Sequence, residues 1–359
     1  KQSYRGEEWA KESLKDAQEL GLEETQLKVI TNKYLRGDSP KKWLRRVAHN
    51  IALAEILYQK DLREEARIFD GVYHYLEGGN GVGEALYFHA TNSTLDERRD
   101  NFNRLLGNLE GAYRENKKAR NVVKKTEAEF YELLSNFYFL PNSPTLMNAG
   151  RELQQLSACY VLPIEDTIEG WMKTAEAAAL IHKGGGGTGF ASSRVRPKGD
   201  LVQSTTGIAS GPLSPFKIIN EVTEQIKQGG TRRGANMGIL YYKHPDIDNF
   251  VKLKGDNPAI YDENKKLVSK GELENFNVSV AFDEEFFEKV KRNEDYELVN
   301  PRDGKVVGKR NALEFLKMVT HYAWLSGDPG YVIIDRINNS RSNPTPAIRS
   351  VHVPRVSNT

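Results

Sequence analysis

The chain has 359 residues, a length that suits about two domains of roughly 150 residues each and a core that needs no staples. Apolar residues make up 38% and charged residues 28%, which excludes disorder and fibrous repeats, and a net charge of +2 gives no general drive toward nucleic acid or an anionic membrane. A single cysteine, Cys159, rules out an internal disulfide framework and a cysteine-built zinc site, while no apolar run approaches the roughly 18 residues of a membrane span. Residues 1–8 lack the apolar core of a secretory signal, so the expectation is a soluble cytoplasmic enzyme.

The first third reads as helix. Leu27, Ile30 and Tyr34 recur at helical spacing, and Gly37 ends that run. Ser39 caps the next helix, with Pro40 at the first position, where a missing N–H costs nothing. Leu44, Val47, Ile51, Ala54 and Tyr58 then fall on one face. Residues 78–83 read as a glycine-rich turn, Ser93 or Asp96 as the cap of a helix carrying Phe102, Leu105, Leu106 and Leu109. Thr126 with Glu129 has the form of a capping box before Phe130, Leu133, Leu134 and Phe137. The basic stretch 117–125 lacks aromatic interleaving and reads as a solvated helix face.

From about Pro141 the texture changes to strands alternating with helices, and the domain boundary is expected at 135/136. A short apolar run, 156–162, surrounds the cysteine. Asp166 and Glu169 open a helix through Trp171, Ala175, Ala178 and His182, and that helix ends in the glycines 184–187. Ser214 and Pro215 open another (Phe216, Ile219, Thr223, Ile226), closed by Gly229 and Gly230. Residues 235–242 read as a strand, 245–253 as a short helix, 277–281 as a strand with Asp283 capping the next helix, 311–325 as an amphipathic helix and 331–334 as a last strand. Residues 255–275 read as a polar loop, long enough to be functional. This alternation argues for an α/β fold with parallel strands.

Gly184, Gly186 and Gly189 satisfy the G-x-G-x-x-G pattern, but a helix precedes them and Phe190 follows in a strand-like stretch. A dinucleotide fingerprint needs the reverse order, so that pyrophosphate meets a helix N-terminus. The missing side chains still let backbone approach a ligand closely. Cys159 reads most simply as a small buried hydrophobe, since composition assigns it neither base nor redox partner. Arg194, Arg196, Arg232 and Arg233 are cations beside flexible backbone, suited to phosphate or to surface ion pairs.

Taken in order, the motifs at 141–150 (Pro-Asn-Ser-Pro-Thr-Leu-Met-Asn-Ala-Gly), 157–162 (Ser-Ala-Cys-Tyr-Val-Leu), 164–170, 184–189, 230–238 and 275–280 closely resemble the large catalytic chain of ribonucleotide reductase, in its adenosylcobalamin-dependent (class II) form. Residues 34–40 and 43–48 resemble the start of that subgroup. The resemblance implies a helical domain over 1–135, followed over 136–359 by the first half of a ten-stranded α/β barrel. It implies a thiyl-radical reduction of ribonucleotides for DNA precursor synthesis, in which Cys159 is one member of a redox-active pair. Ser143, Ala158, Cys159 and Gly187 match substrate-holding positions, Asp166 and Arg196 match the deoxynucleotide specificity site, and 255–275 falls where the family carries its specificity loop. It also implies adenosylcobalamin as cofactor, a ribonucleoside diphosphate or triphosphate as substrate, deoxynucleoside triphosphates or ATP as effectors, a thioredoxin-type reductant and a homodimer.

Past Ile348 the family continues into an Asn-Pro-Cys-Gly-Glu finger loop, whereas residues 349–359 read differently and bring no second cysteine. The expectation is therefore a fragment ending before the finger loop and inactive alone. Other readings stay open: a non-catalytic deoxynucleotide-binding regulatory or assembly protein, the class I large chain fed by a separate radical-generating subunit, and a nicotinamide dehydrogenase resting on the glycines alone.

Overall fold

The computed structural model describes residues 7–72, 95–152, 154–202, 207–226, 234–261, 263–264, 267–269 and 271–340. The expected turn at 78–83, the Ser93 cap, Gly229, Gly230, Arg232, Arg233 and the tail beyond Ser340 lie outside these residues. The chain divides after Leu156 into two units.

The first unit is helical: α1 (Glu7–Glu19), α2 (Glu24–Ile30) running into a π-helical turn (Thr31–Leu35), α3 (Pro40–Ala52), α4 (Glu55–Tyr58), α5 (Lys60–Glu65), α6 (Leu95–Glu115), α7 (Lys117–Ser135) and α8 (Ser143–Asn148). Pro40 does open α3, with Ser39 extended before it, although the Ser39 hydroxyl points to Glu12 rather than capping. Trp43, Leu44, Val47 and Ala48 bury one face of α3 against Leu134 of α7 and Leu146 of α8. Each large apolar side chain so buried contributes about 1.5–3 kcal/mol. The expected stripe fails at Tyr58, which is 82% exposed, because the helix breaks after Ala52 and the phase is lost. Thr126 and Glu129 do not cap: α7 runs unbroken through them from Asn116, whose side chain accepts from Lys118 N and Ala119 N. Lys118, on the basic stretch, pairs in solvent with Glu65. The Trp43 indole donates to Leu146 O at 2.8 Å, and Leu146 and Ala149 join the same core. This packing draws α8 into the helical unit and sets the division at 156/157 instead of 135/136.

The second unit holds β1 (Cys159–Pro163), α9 (Ile168–Lys183), β2 (Gly187–Ala191), β3 (Leu201–Val202), β4 (Gly207–Ile208), α10 (Leu213–Ile226), β5 (Asn236–Tyr241), α11 (Ile247–Asp256), β6 (Ile260–Tyr261), β7 (Leu267–Ser269), β8 (Phe276–Phe282), α12 (Glu284–Arg292), β9 (Asp295–Val299), β10 (Val306–Asn311), α13 (Ala312–Ser326), β11 (Gly330–Ile333) and α14 (Ile334–Asn339). Strands β1-β2-β5-β8-β11 form one sheet in chain order, every neighbouring pair parallel. A helix crosses between each pair, and β8, an interior strand, is buried almost throughout, as a strand covered on both faces must be. Five sequential parallel strands are what half of an α/β barrel requires. The order never reverses, so the sheet lacks the crevice in which doubly wound folds hold a dinucleotide. The 255–275 segment is not all loop: β6 and β7 pair antiparallel within it.

The core joins Phe190, Phe216, Phe250 and Phe276 to a second aromatic group, Tyr242, Phe282, Phe286, Tyr296 and Phe315. Gly238 of β5 admits the first group, since a Cβ there would stand 3.1 Å from the Phe216 ring.

Candidate functional site

In a parallel sheet all amino ends lie together, and here they gather Ala158, Cys159 and Gly187, three of the four positions matched to substrate. Cys159 opens β1 and is paired in register with Gly187, which opens β2. The Gly187 amide donates to Ala158 O at 2.6 Å, and a Cβ on Gly187 would stand 3.2 Å from Ala235 O. Glycine is thus needed where three backbone segments converge, and its N–H is already engaged. Cys159 is exposed, contrary to the reading of a small buried hydrophobe. The reason is its place on an edge strand whose residues alternate outward, beginning with the cysteine. Ser143 belongs to the helical unit, at the start of α8, with its hydroxyl 3.0 Å from Tyr34 Oη.

A buried polar chain braces these amino ends. Thr188 Oγ1 donates to Asn236 Oδ1 at 2.7 Å, Asn236 Nδ2 donates to Thr223 Oγ1 at 2.9 Å, and Thr223 donates to Ile219 O at 2.7 Å. Because the Thr188 proton is spent on Asn236, His182 Nε2, 3.0 Å away, is the donor to Thr188 Oγ1. That fixes the neutral tautomer with Nδ1 bare, and burial pushes the His182 pKa down. Gly234 lies directly against this ring; a Cβ there would be 2.8 Å from it.

The positions matched to the specificity site lie at the opposite, carboxyl ends. Asp166 follows β1 by three residues and Arg196 follows β2 by five. They meet: Arg196 Nε donates to Asp166 Oδ2 at 2.7 Å and the Arg196 backbone N–H to Oδ1 at 3.3 Å. Asp166 is free to do this because Thr167, not Asp166, caps α9, its hydroxyl accepting from Gly170 N. Arg196 Nη1 reaches Leu201 O at 3.3 Å. Beside the pair, Arg302 grips Asp200 through two bonds of 2.7 and 3.1 Å, and Asn300 adds a third of 3.1 Å. Those bonds, the Arg302 one foremost, hold the Asp200 carboxyl well below the usual carboxylate range.

Sequence reasoning missed Asp200, His244, Asp246 and Arg302 as neighbours of this end. The Asn300–Gly304 turn, with Pro301 and Asp303, was a legible hairpin signal between β9 and β10; His244 and Asp246 gave none. The 255–275 segment contributes the β6–β7 pair, and Gly271 N donates to Glu274 Oε1 at 3.1 Å. Among the described residues no three His, Cys, Asp or Glu side chains converge on a metal position, and no helix is long and apolar enough to cross a membrane.

With two units and two strand ends defined, comparison with known proteins decides the family. The ribonucleotide reductase all-alpha domain matches residues 20–154 and the ribonucleotide reductase barrel domain matches residues 157–354. The chain belongs to the ribonucleotide reductase large-chain family. It is 40% identical over 341 residues to a vitamin B12-dependent ribonucleoside-diphosphate reductase of Thermoplasma acidophilum, covering 91% of this chain and 41% of that protein. A vitamin B12-dependent ribonucleoside-diphosphate reductase of Mycobacterium tuberculosis is 44% identical over 217 residues, 60% of this chain and 29% of that one. A ribonucleoside-diphosphate reductase large subunit of vaccinia virus is 41% identical over 128 residues, 35% of this chain and 17% of its own. The chain thus spans about two fifths of the length of the Thermoplasma relative. The two domain matches meet at 154/157, where the fold itself divides.

Proposed function

We propose that this chain takes part in the reduction of ribonucleotides to deoxyribonucleotides, with Cys159 supplying one of the two reducing thiols. The observation that carries the reading is an exposed thiol opening an edge strand beside a glycine whose surroundings leave no room for a side chain. In such a reduction the 2′-hydroxyl leaves as water and hydrogen takes its place, while two thiols yield two electrons and two protons and close as a disulfide. The chain has one cysteine, so the second thiol and the radical-forming one come from outside these 359 residues. Ser143, Ala158, Cys159 and Gly187 are the proposed substrate contacts, for a ribonucleoside diphosphate or triphosphate. A thioredoxin-type dithiol restores the thiols.

At the other end, Asp166 is proposed to take a sugar hydroxyl and Arg196 a phosphate of a deoxynucleoside triphosphate or ATP effector, in a homodimer. Charge-assisted bonds suit both roles. Adenosylcobalamin dependence rests on the names of the relatives, and when bound that group supplies the initiating radical.

The test is reconstitution. The chain is mixed with adenosylcobalamin, a dithiol, ribonucleotide and the part of the Thermoplasma acidophilum reductase that lies beyond the matched region. Deoxyribonucleotide should form in the mixture, not with the chain alone, and should fall to background with Cys159→Ser. Turnover that survives Cys159→Ser would remove the assignment.

A further inference from the structure

The segment that carries Arg196 is gripped on both sides of that residue by one short turn. Between β5 and α11, His244 and Asp246 stand two residues apart, with His244 2% exposed and Asp246 nearly as buried. Asp246 N donates to His244 Nδ1 at 3.0 Å, so the ring proton sits on Nε2, which donates to Val195 O at 2.9 Å. Asp246 Oδ2 accepts from Lys198 N at 2.8 Å. Val195 and Lys198 bracket Arg196 and Pro197. The two bonds therefore set where the Arg196 backbone runs, and with it the direction in which its guanidinium leaves the chain.

Other bonds reach the same segment, from Arg196 N to Asp166 Oδ1 at 3.3 Å, Asp200 N to Pro197 O at 3.2 Å and Gly199 N to Ala209 O at 2.9 Å. The turn alone takes hold on both sides of the arginine. Val195 is buried and anchored to Ser192 O, so the segment enters at a fixed point. Gly211 backs the Lys198 end so closely that a Cβ would stand 2.9 Å from Lys198 N. Arg196 itself contributes one charged contact, to Asp166, and a longer one to Leu201 O. A ligand that displaced Asp166 would remove that charged contact and the Asp166 bond to the Arg196 backbone, and the turn's two bonds would still hold the chain on either side of the arginine.

We infer that His244 and Asp246 are positioning residues for Arg196, fixing its backbone so that the guanidinium meets an effector phosphate. They act through Arg196 and touch no ligand. The inference rests on the proposed effector role of Arg196. It adds that the affinity depends on a turn from the next strand of the sheet, β5, which no motif marked.

The experiment is a double-mutant cycle on the full chain, with dATP as the probe in calorimetry and the thermal midpoint recorded for each variant. Asp246→Ala should weaken dATP binding by about five- to tenfold, and Asp246→Asn, which keeps an oxygen for Lys198 N–H, should stay within about twofold of the parent. In an Arg196→Ala background, Asp246→Ala should add nothing further, because a residue that acts only through Arg196 has nothing left to position. A purely structural role would instead give additive losses that follow the thermal midpoint. Should Asp246→Ala not fold, His244→Ala reads the same cycle from the other grip, with His244→Gln keeping a donor and restoring affinity. Additive losses, or an Asp246→Ala chain that binds as the parent does while Arg196→Ala binds weakly, overturn the clamp and leave the effector reading standing. A parent chain that binds no dATP, or an Arg196→Ala chain that binds it unchanged, removes the effector reading and the clamp with it.

Discussion

Cys159 shows how far a single residue is determined by its neighbours. An isolated cysteine in an apolar run suggests burial, yet the thiol is exposed because its strand is the outermost and the cysteine begins it. Reactivity of a thiol follows access as well as ionisation. The folded chain should therefore yield one fast-reacting thiol to a small aromatic disulfide, at a rate within about tenfold of the denatured chain, and Cys159→Ser should yield none. A native rate reduced a thousandfold would mean the thiol is covered. Motif and order together singled out Cys159, Asp166 and Arg196, and the fold brings the last two into one ion pair. The burial of those residues was not legible in the sequence, because exposure depends on which strand lies at the edge, and that is a property of the sheet.

At the scale of the element, Asp283 carries several loads at once. It caps α12 by accepting from Phe286 N at 2.8 Å, and it also accepts from Tyr242 Oη at 3.1 Å and from Tyr241 Oη. Losing a cap costs about 1 kcal/mol, and each buried hydroxyl left without a partner about 1–3 kcal/mol. Asp283→Ala should lower unfolding stability by about 2–4 kcal/mol in urea titration, against under about 1 kcal/mol for Lys118→Ala on the solvated face of α7. Equal midpoints would contradict the shared acceptor. The Asp283 cap, the Pro40 start of α3 and the strands around residues 236–241 and 276–282 were all legible, since local chemistry and tertiary packing agree there. The capping box at Thr126 and Glu129 was misleading for a physical reason. A cap forms only where the chain leaves helical backbone, and Asn116 had already started a helix that nothing interrupts. The β9–β10 hairpin escaped notice because β10 is mostly exposed and polar, with little of the alternation that marks a half-buried strand.

For the whole molecule, the two buried histidines tie the stability of the α/β unit to acidity. Burial lowers the pKa of both His182 and His244; at His244 it outweighs the Asp246 carboxylate 3.9 Å away, and Nδ1 accepts from Asp246 N, which suits the neutral ring. The unfolded chain takes up protons near pH 6.5 while the folded chain resists. Their contribution is therefore complete above about pH 6.5 and is lost progressively as pH falls below it, toward the lowered folded values. Urea midpoints should fall between pH 7.5 and pH 5.5, and His244→Gln should flatten part of that slope. A midpoint that rises on acidification would reverse the sign and refute the neutral tautomers. The sheet also separates the two proposed sites by its own length. Cys159 and Gly187 open strands whose far ends precede Asp166 and Arg196, with about 13 Å of extended backbone between.

On the proposed effector reading, the Asp166–Arg196 pair makes that end a site that already contains a rival. The carboxylate is an intramolecular competitor for the guanidinium, tethered at a fixed effective concentration that no dilution reduces. A nucleotide bound there would not simply add its contacts to an open surface; it would win an exchange, gaining a phosphate–arginine bond while the displaced carboxylate turned to the sugar. An isolated phosphate ion would offer only half of that exchange, so on this reading the ion pair itself favours a whole nucleotide over its fragments.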